Sequence, residues 1–498
     1  MNGRLDLDAE ELRRLALRAV DLVVGHLDGI RERDVYRPMT PAERQELLTA
    51  PMPEDGESPE TILDRVQASV LTHPMGNGHP RFFGWVNSPP APLGVLADFL
   101  AAALDPSCAG GDHAAIYVER CAVRWLMELV GFPTAGSMGL LVSGSSAASV
   151  VGLAAARHRA VAQRGGDVRR DGVQGPRLML YVTEEGHGCL RKAAELLGLG
   201  AASVRVVPVD DAFRMDVRAL DAAVRADREA GHVPFCVAAS AGTVSTGAID
   251  PLAAIADVCE RETLWLHVDG AYGALGIVDP ALAERYVGLD RVDSLALDPH
   301  KWLSVPVDCG AVLVRDGALL RTTFSLVPPY LRTEEDKGFG GLPWFSEYGT
   351  EQTRGFRALK LWMILRQLGR HGLARHVARH VALARRLAAL IDAAPDLERL
   401  APVELSIVCF RYVPASWRDD PERLDALNLR VMEQLQSDGQ VFLTNTVVRG
   451  RFALRACVLH YQTSEPDVDA LIDAVRAAGA SLFRSAEAAD DFKTGGDA

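Results

Sequence analysis

Only five lysines stand among the 53 Lys and Arg residues, and one of them, Lys301, follows an apolar run inside Asp298-Pro299-His300-Lys301-Trp302. Arginine carries nearly every other positive charge, so a lysine kept here is wanted for its nitrogen chemistry. A guanidinium stays protonated and cannot form an imine, whereas a desolvated amine can lose its proton and attack a carbonyl. The carbonyl that suits this role is the aldehyde of pyridoxal 5'-phosphate. A matching group, Asp269, lies thirty-two residues earlier in His267-Val268-Asp269-Gly270-Ala271-Tyr272-Gly273. It ends the apolar run 264–268, which reads as a buried strand. A carboxylate there can face the ring nitrogen of such a cofactor and hold its proton. At ~4 Å and an effective dielectric of about 20, that pair is worth roughly 4 kcal/mol, about three pKa units. Standing alone, Asp269 reads equally as a turn cap; Lys301 downstream makes the difference.

Other groups fall at places that serve the same chemistry. Ser143-Gly144-Ser145-Ser146 precedes a helical pattern at 147–163. The N–H groups of a helix start and the hydroxyls of Ser145 and Ser146 suit a phosphate, although such a turn also opens ordinary helices. Neither GxxxxGK[ST] nor GxSxG occurs there. His300 is a second phosphate candidate, or a core histidine. His187, after the apolar run 178–182, can stack on a pyridine ring and meet a substrate carboxylate, or be structural. Thr243, after the run 235–239, can bond the ring hydroxyl or substrate, or serve its own turn. Tyr330 precedes a charged, glycine-rich stretch that reads as a mobile loop. A tyrosine on a closing loop can return a proton to Cα, and a surface tyrosine fits the same pattern.

These residues need a frame. Short apolar runs at 139–142, 178–182, 204–209, 235–239, 264–268, 294–297 and 311–314 alternate with helical patterns such as 147–163, 217–229 and 251–262. That alternation predicts a mostly parallel sheet covered on both faces, which binds ligands at the carboxyl ends of its strands. The expected organisation is a helical N-terminal segment (1–88) packing on a partner subunit and a large domain (89–368). A smaller C-terminal α/β domain (369–485) and a frayed tail (486–498) follow. Two long helices, 353–369 and 373–394, join the domains. With 48% hydrophobic and 24% charged residues the composition is globular, and a net charge of −13 argues against nucleic acid or an anionic membrane as partner. No uncharged apolar stretch reaches the roughly 20 residues of a membrane span. The eight cysteines are scattered without a CxxC pair. They read as reduced, buried thiols of a cytoplasmic protein, not a disulfide or metal framework.

Taken together, the motifs resemble the group II pyridoxal-phosphate-dependent amino-acid decarboxylases, the family of the aromatic-L-amino-acid decarboxylases. The likeness runs from about His79-Pro80-Arg81-Phe82-Phe83 to Tyr461 and is most specific at the Asp269 and Lys301 motifs, at 324–331 and at 354–362. It implies the type I PLP-dependent (aspartate aminotransferase-like) fold and a homodimer with shared active sites. It also implies an L-amino acid converted to its amine and CO2. It makes Lys301 the Schiff-base lysine and Asp269 the partner of the pyridine nitrogen. His187 becomes the stacking histidine, Ala271 the residue against the other ring face, and Ser145, Ser146 and His300 phosphate ligands. Tyr330 becomes the loop tyrosine that protonates Cα. Aldehyde-forming relatives often carry Phe or Asn at the tyrosine or histidine position, so retention of Tyr330 and His187 favours simple decarboxylation. An aldehyde-forming enzyme, a transaminase and a PLP-binding protein without turnover are the rivals. The chain departs from the family pattern where substrate is chosen. Gly84-Trp85-Val86-Asn87-Ser88-Pro89 follows the two phenylalanines, and Asp105 and Ser107 fall on a loop that reaches in from the partner. Gly110-Gly111-Asp112-His113 replaces an apolar stretch. Trp85 can hold an aromatic ring, Asp105 or Asp112 can read a cationic or hydroxylated side chain, and Asn87 and Ser88 are further contacts.

Overall fold

A computed structural model describes residues 5–327 and 339–494. All seven apolar runs become strands of one sheet: β1 Met138–Val142, β2 Leu178–Thr183, β3 Val204–Val207, β4 Val233–Ser240, β5 Trp265–Asp269, β6 Ser294–Leu297 and β7 Gly310–Val314. Their order is β1-β7-β6-β5-β4-β2-β3. The pairs β6–β5, β5–β4, β4–β2 and β2–β3 are parallel, and β7 is antiparallel to both of its neighbours. β1 to β6 therefore all run one way, and their carboxyl ends share one edge of the sheet. Strands β2, β5, β6 and β7 are buried along their whole length, as strands covered on both faces must be. This mostly parallel sheet, covered on both faces, is the arrangement that the resemblance implies. The reversal of β7 is not readable from its apolar run, which looks like the others.

The helix Ser145–Ala162 packs along this sheet with a face of small residues, among them Ala148, Val151 and Ala155. Close approach is required at Gly152: a Cβ there would fall 3.0 Å from both His267 Nδ1 and Ser294 Oγ. Beneath the sheet edge His267 bonds Ser294 Oγ at 2.8 Å, and burial drives its pKa down to about 4, so the ring is neutral. Behind β1 lies a fully buried ion pair. Arg354 donates to both carboxylate oxygens of Glu119 and to the carbonyls of Leu141 and Cys108, while Glu119 accepts the Leu141 N–H. Residues 351–357 lie outside any helix, so the long helix starts at Ala358, not at 353, and runs to Ala393 with a break at Gly369 (φ 59°).

The chain divides into two compact units. One is Val86–Ala388 with Ala401–Cys409; the other is Met1–Trp85 with Ala389–Leu400 and Phe410–Ala498. The N-terminal segment thus groups with the C-terminal part of its own chain rather than standing as a separate body. Val35 N–H bonds Gly439 O at 2.7 Å, Arg31 and Arg81 both meet the buried Asp467, and Phe82 stacks on Phe442 at 4.9 Å. A four-stranded sheet accompanies these contacts: β8 Leu397–Arg399, β9 Ile407–Tyr412, β10 Thr444–Val448 and β11 Arg451–Cys457, ordered β10-β11-β9-β8. The last helix, Glu465–Thr494, carries through the residues expected to fray from 486, an alanine-rich stretch with high helix propensity. All eight cysteines are free thiols, seven of them buried. Among the described residues no helix is long and apolar enough to cross a membrane.

Candidate active site

β5 and β6 are adjacent, pairing Asp269 with Ala296. The loops that leave them are tied together: Gly270 N–H bonds Ala296 O at 3.0 Å and Asp298 N–H bonds Ala271 O at 3.2 Å. Both sequence-predicted groups, Asp269 and Lys301, therefore come to the same edge of the sheet. Asp269 is buried, and its Oδ1 accepts the Ala271 N–H at 3.1 Å. Its Oδ2 lies 3.9 Å from Cys189 Sγ. Burial, and then the charge of Asp269, push the Cys189 thiol up to about 12, so it stays protonated beside the carboxylate. Lys301 Nζ lies 3.1 Å from Asp298 Oδ2. Asp298 is the residue that sequence reasoning left without a role. It is buried, and its Oδ1 has no hydrogen-bond partner. The available signal was an acid three residues before the lysine, one turn away.

At the end of β1 the chain passes through Gly144 into the helix Ser145–Ala162, whose first residues have no side-chain cap. Ser145 Oγ is buried there without a partner, and Ser146 is exposed one residue on. His300 hangs over this helix start, since a Cβ on Gly144 would lie 3.4 Å from its Cε1. His300 Nδ1 accepts the Cys309 N–H at 3.1 Å, which leaves the hydrogen of the neutral ring on Nε2. Burial lowers its pKa, outweighing the nearby Asp298, so the ring is neutral at neutral pH.

His187 caps the helix Gly188–Leu196 and is exposed. Its Nδ1 accepts the Cys189 N–H at 3.2 Å, which leaves Nε2 as a donor. Ligating atoms of His187, Cys189 and Asp269 all lie within 4.8 Å of one another. With the imidazole lone pair engaged and the thiol protonated, the other two groups cluster beside Asp269 without a free set of metal ligands. Thr243 spends its hydroxyl on its own turn: Oγ1 accepts the Ala248 N–H at 3.1 Å and lies 3.0 Å from Thr246 Oγ1.

A buried carboxylate, a lysine amine and an uncapped helix start thus share one strand edge. The pyridoxal-dependent decarboxylase conserved domain matches residues 41–413. The chain belongs to the pyridoxal-dependent decarboxylase family. It is 32% identical over 470 residues to an aromatic-L-amino-acid decarboxylase of Bacillus atrophaeus, covering 94% of this chain and 95% of that protein. It is 29% identical to tryptophan decarboxylase 2 of Oryza sativa subsp. japonica, covering 93% of each. A crystal structure of Oryza sativa TDC with PLP and tryptamine superposes with a TM-score of 0.90 at 29% identity, covering 96% of this chain and 100% of that one. This decarboxylase is a carboxy-lyase that uses pyridoxal 5'-phosphate to remove the carboxyl group of an amino acid.

The residues present fit that cofactor. Ser145 Oγ, buried and unpaired at the start of an 18-residue helix, is a donor awaiting an anion. Ala271, half-buried, follows Asp269 at the same edge. Of the decarboxylase's substrate candidates, Ser88 donates to His300 O at 3.1 Å, and Asn87 next to it is half-buried. Trp85 is 46% exposed, in left-handed backbone (φ 47°), against Phe442 at 5.6 Å. Asp105 and Ser107 are exposed just beyond the helix Pro92–Leu104, with Asp105 also left-handed (φ 39°). Asp112 accepts the Tyr117 hydroxyl at 2.5 Å, and His113 stacks on Phe339. Tyr330 lies outside the described residues.

Proposed function

We propose that the enzyme decarboxylates an L-amino acid with an aromatic side chain, releasing the amine and CO2. The observation that carries the catalytic half is Asp269 at the end of β5 with Lys301 in the loop that leaves the neighbouring β6, and the unpaired Ser145 hydroxyl at the same edge. When bound, pyridoxal phosphate supplies the electron sink for the pair left by the broken Cα–carboxyl bond. Lys301 Nζ would be the amine that holds the cofactor through its aldehyde. Asp269 would be the carboxylate that keeps its ring nitrogen protonated. Ser145 Oγ, the helix N–H groups and His300 Nε2–H would donate to its phosphate. His187 would lie against its ring and offer Nε2–H to the substrate carboxylate. The Tyr330 hydroxyl returns a proton to Cα.

The substrate reading is supported by the names of the relatives and by Trp85, an exposed aromatic three residues before Ser88. The exposed Asp105 favours a second reading, a cationic or hydroxylated side chain. We also take the enzyme to be a cytoplasmic homodimer. The helix Ala9–Asp28 leaves Leu12, Leu17 and Val24 exposed, and the helix Pro92–Leu104 leaves Leu96, Phe99 and Leu104 exposed, faces suited to a second copy. Light scattering should return twice the 53.7 kDa chain mass.

The test is product analysis with PLP-loaded enzyme. Aromatic, cationic and small polar amino acids are supplied, and CO2, amine and peroxide are recorded. Amine from aromatic substrates alone is expected; turnover confined to cationic ones refutes the aromatic assignment. Lys301→Ala should abolish turnover. Tyr330→Phe should shift products from amine towards aldehyde, ammonia and peroxide, and an unchanged amine yield would remove the tyrosine from the mechanism.

A further inference from the structure

Lys301 rides on the connection between β6 and β7, with no helix or strand of its own to hold it. Its N–H bonds Asp298 O at 2.9 Å and its carbonyl accepts the Ser304 N–H at 3.2 Å, which ties the loop only to itself. Outside anchors meet its neighbours: Asp298 N–H bonds Ala271 O, His300 O accepts from Ser88 Oγ, Ser304 O accepts from Ala91 N–H, and side chains of the long helix meet Trp302. Trp302 is fully buried. Its indole N–H donates to His380 Nδ1 at 3.0 Å, and its carbonyl oxygen accepts from His376 Nε2 at 3.0 Å. The two histidines stand one turn apart on the long helix, past the break at Gly369, with their rings 4.4 Å apart. The face of the indole stacks on Tyr272, centroids 5.0 Å apart and planes at 18°. Tyr272 is fixed in turn by Ser406, whose Oγ lies 2.6 Å and whose N–H lies 2.8 Å from the phenol oxygen. Each of the two cofactor-facing residues, Asp269 and Lys301, is therefore followed by an aromatic ring, and those rings pack on each other.

We infer that His376 and His380 are positioning residues for Lys301. They hold Trp302 at its carbonyl and at its indole, and so set where the amine stands relative to Asp269. This rests on Lys301 being the residue that carries the cofactor. His380 must keep Nδ1 unprotonated to accept the indole N–H, and His376 must carry hydrogen on Nε2 to reach the carbonyl. An aliphatic side chain does neither, whereas glutamine offers both an acceptor and a donor. Small displacements of a reacting group cost large factors in rate, so the clamp should be felt in turnover more than in binding.

PLP-loaded His380→Leu is compared with His380→Gln, and His376→Leu with His376→Gln. The readings are kcat, KM and the visible absorption band of the bound cofactor. Each leucine variant should lose about tenfold in kcat with KM within about twofold, and should shift the band. Each glutamine variant should return kcat to within about twofold of the parent. Leucine variants with parental kcat and an unmoved band overturn the inference, as do glutamine variants as slow as the leucine ones. Borohydride reduction and peptide mapping run alongside. Cofactor fixed on Lys301, with turnover indifferent to both histidines, defeats the clamp alone. Cofactor fixed on another lysine defeats the reading of Lys301 on which it stands.

Discussion

Ser145→Ala should change the protein in opposite directions with and without its cofactor. In the structure, Ser145 Oγ is buried with no partner, at the first residue of the helix Ser145–Ala162. An unsatisfied buried hydroxyl costs roughly 1–3 kcal/mol, so removing it should leave the cofactor-free protein equally stable or more so. Alanine is also the best helix former at that place. With the phosphate present the hydroxyl becomes a donor to a charged acceptor, a bond worth about 1.5–3 kcal/mol. Its loss should weaken PLP binding roughly 10- to 150-fold. Equilibrium titration of the cofactor-free protein with PLP, followed by quenching of tryptophan fluorescence, gives the second quantity, and urea midpoints without PLP give the first. A dissociation constant within about twofold of the parent would show that the phosphate is held elsewhere. Destabilisation of the cofactor-free variant would show that the hydroxyl already has a use.

Two further outcomes follow from buried charge. Glu119→Ala strips the counter-charge from Arg354 while leaving its guanidinium buried, and should cost about 3–5 kcal/mol in urea unfolding, with a shift under about 1 kcal/mol contradicting the account. His267 titrates at about 4 in the folded chain against an ordinary 6.5, so the folded state binds fewer protons in that range. Stability present above pH 6.5 should therefore fall steadily as pH drops from 6.5 towards about 4. Urea midpoints across that window should fall less steeply in His267→Gln, because His460, also pushed to about 4 by burial, keeps part of the slope; an equally steep fall in the variant would place the acid sensitivity in other groups.

Much of this architecture was legible because it is written in period and run length. The seven apolar runs became the seven strands of the large sheet because strands buried on both faces must be apolar throughout. The positions of Asp269, Lys301, Ser145 and His300 near strand ends and a helix start were legible because those places follow directly from the apolar runs and the helical pattern. What escaped depends on contacts between distant parts of the chain. No local pattern tells that Arg31 and Arg81 meet Asp467, and so that the N-terminal segment groups with the C-terminal part. Nor does periodicity reveal that Arg354 is held by Glu119, or that the long helix starts only at Ala358. Asp298 escaped for another reason: it stands inside the Lys301 motif, but a carboxylate beside the Lys301 amine appears only once the turn is folded. Nor does any local pattern announce that Thr243 Oγ1 accepts the Ala248 N–H within its own turn.

The reversed strand β7 has an architectural consequence. It starts at Gly310 opposite Val142, where a Cβ would fall 2.4 Å from Gly144 Cα. Backbone touches backbone there, with no side chain to act as a spacer. A methyl group added at 310 would be transmitted straight into the turn that opens the helix Ser145–Ala162. Two stretches far apart along the chain are thereby welded into one part. Anyone transplanting this cradle into another scaffold must carry both, because either alone would lose the surface that shapes it.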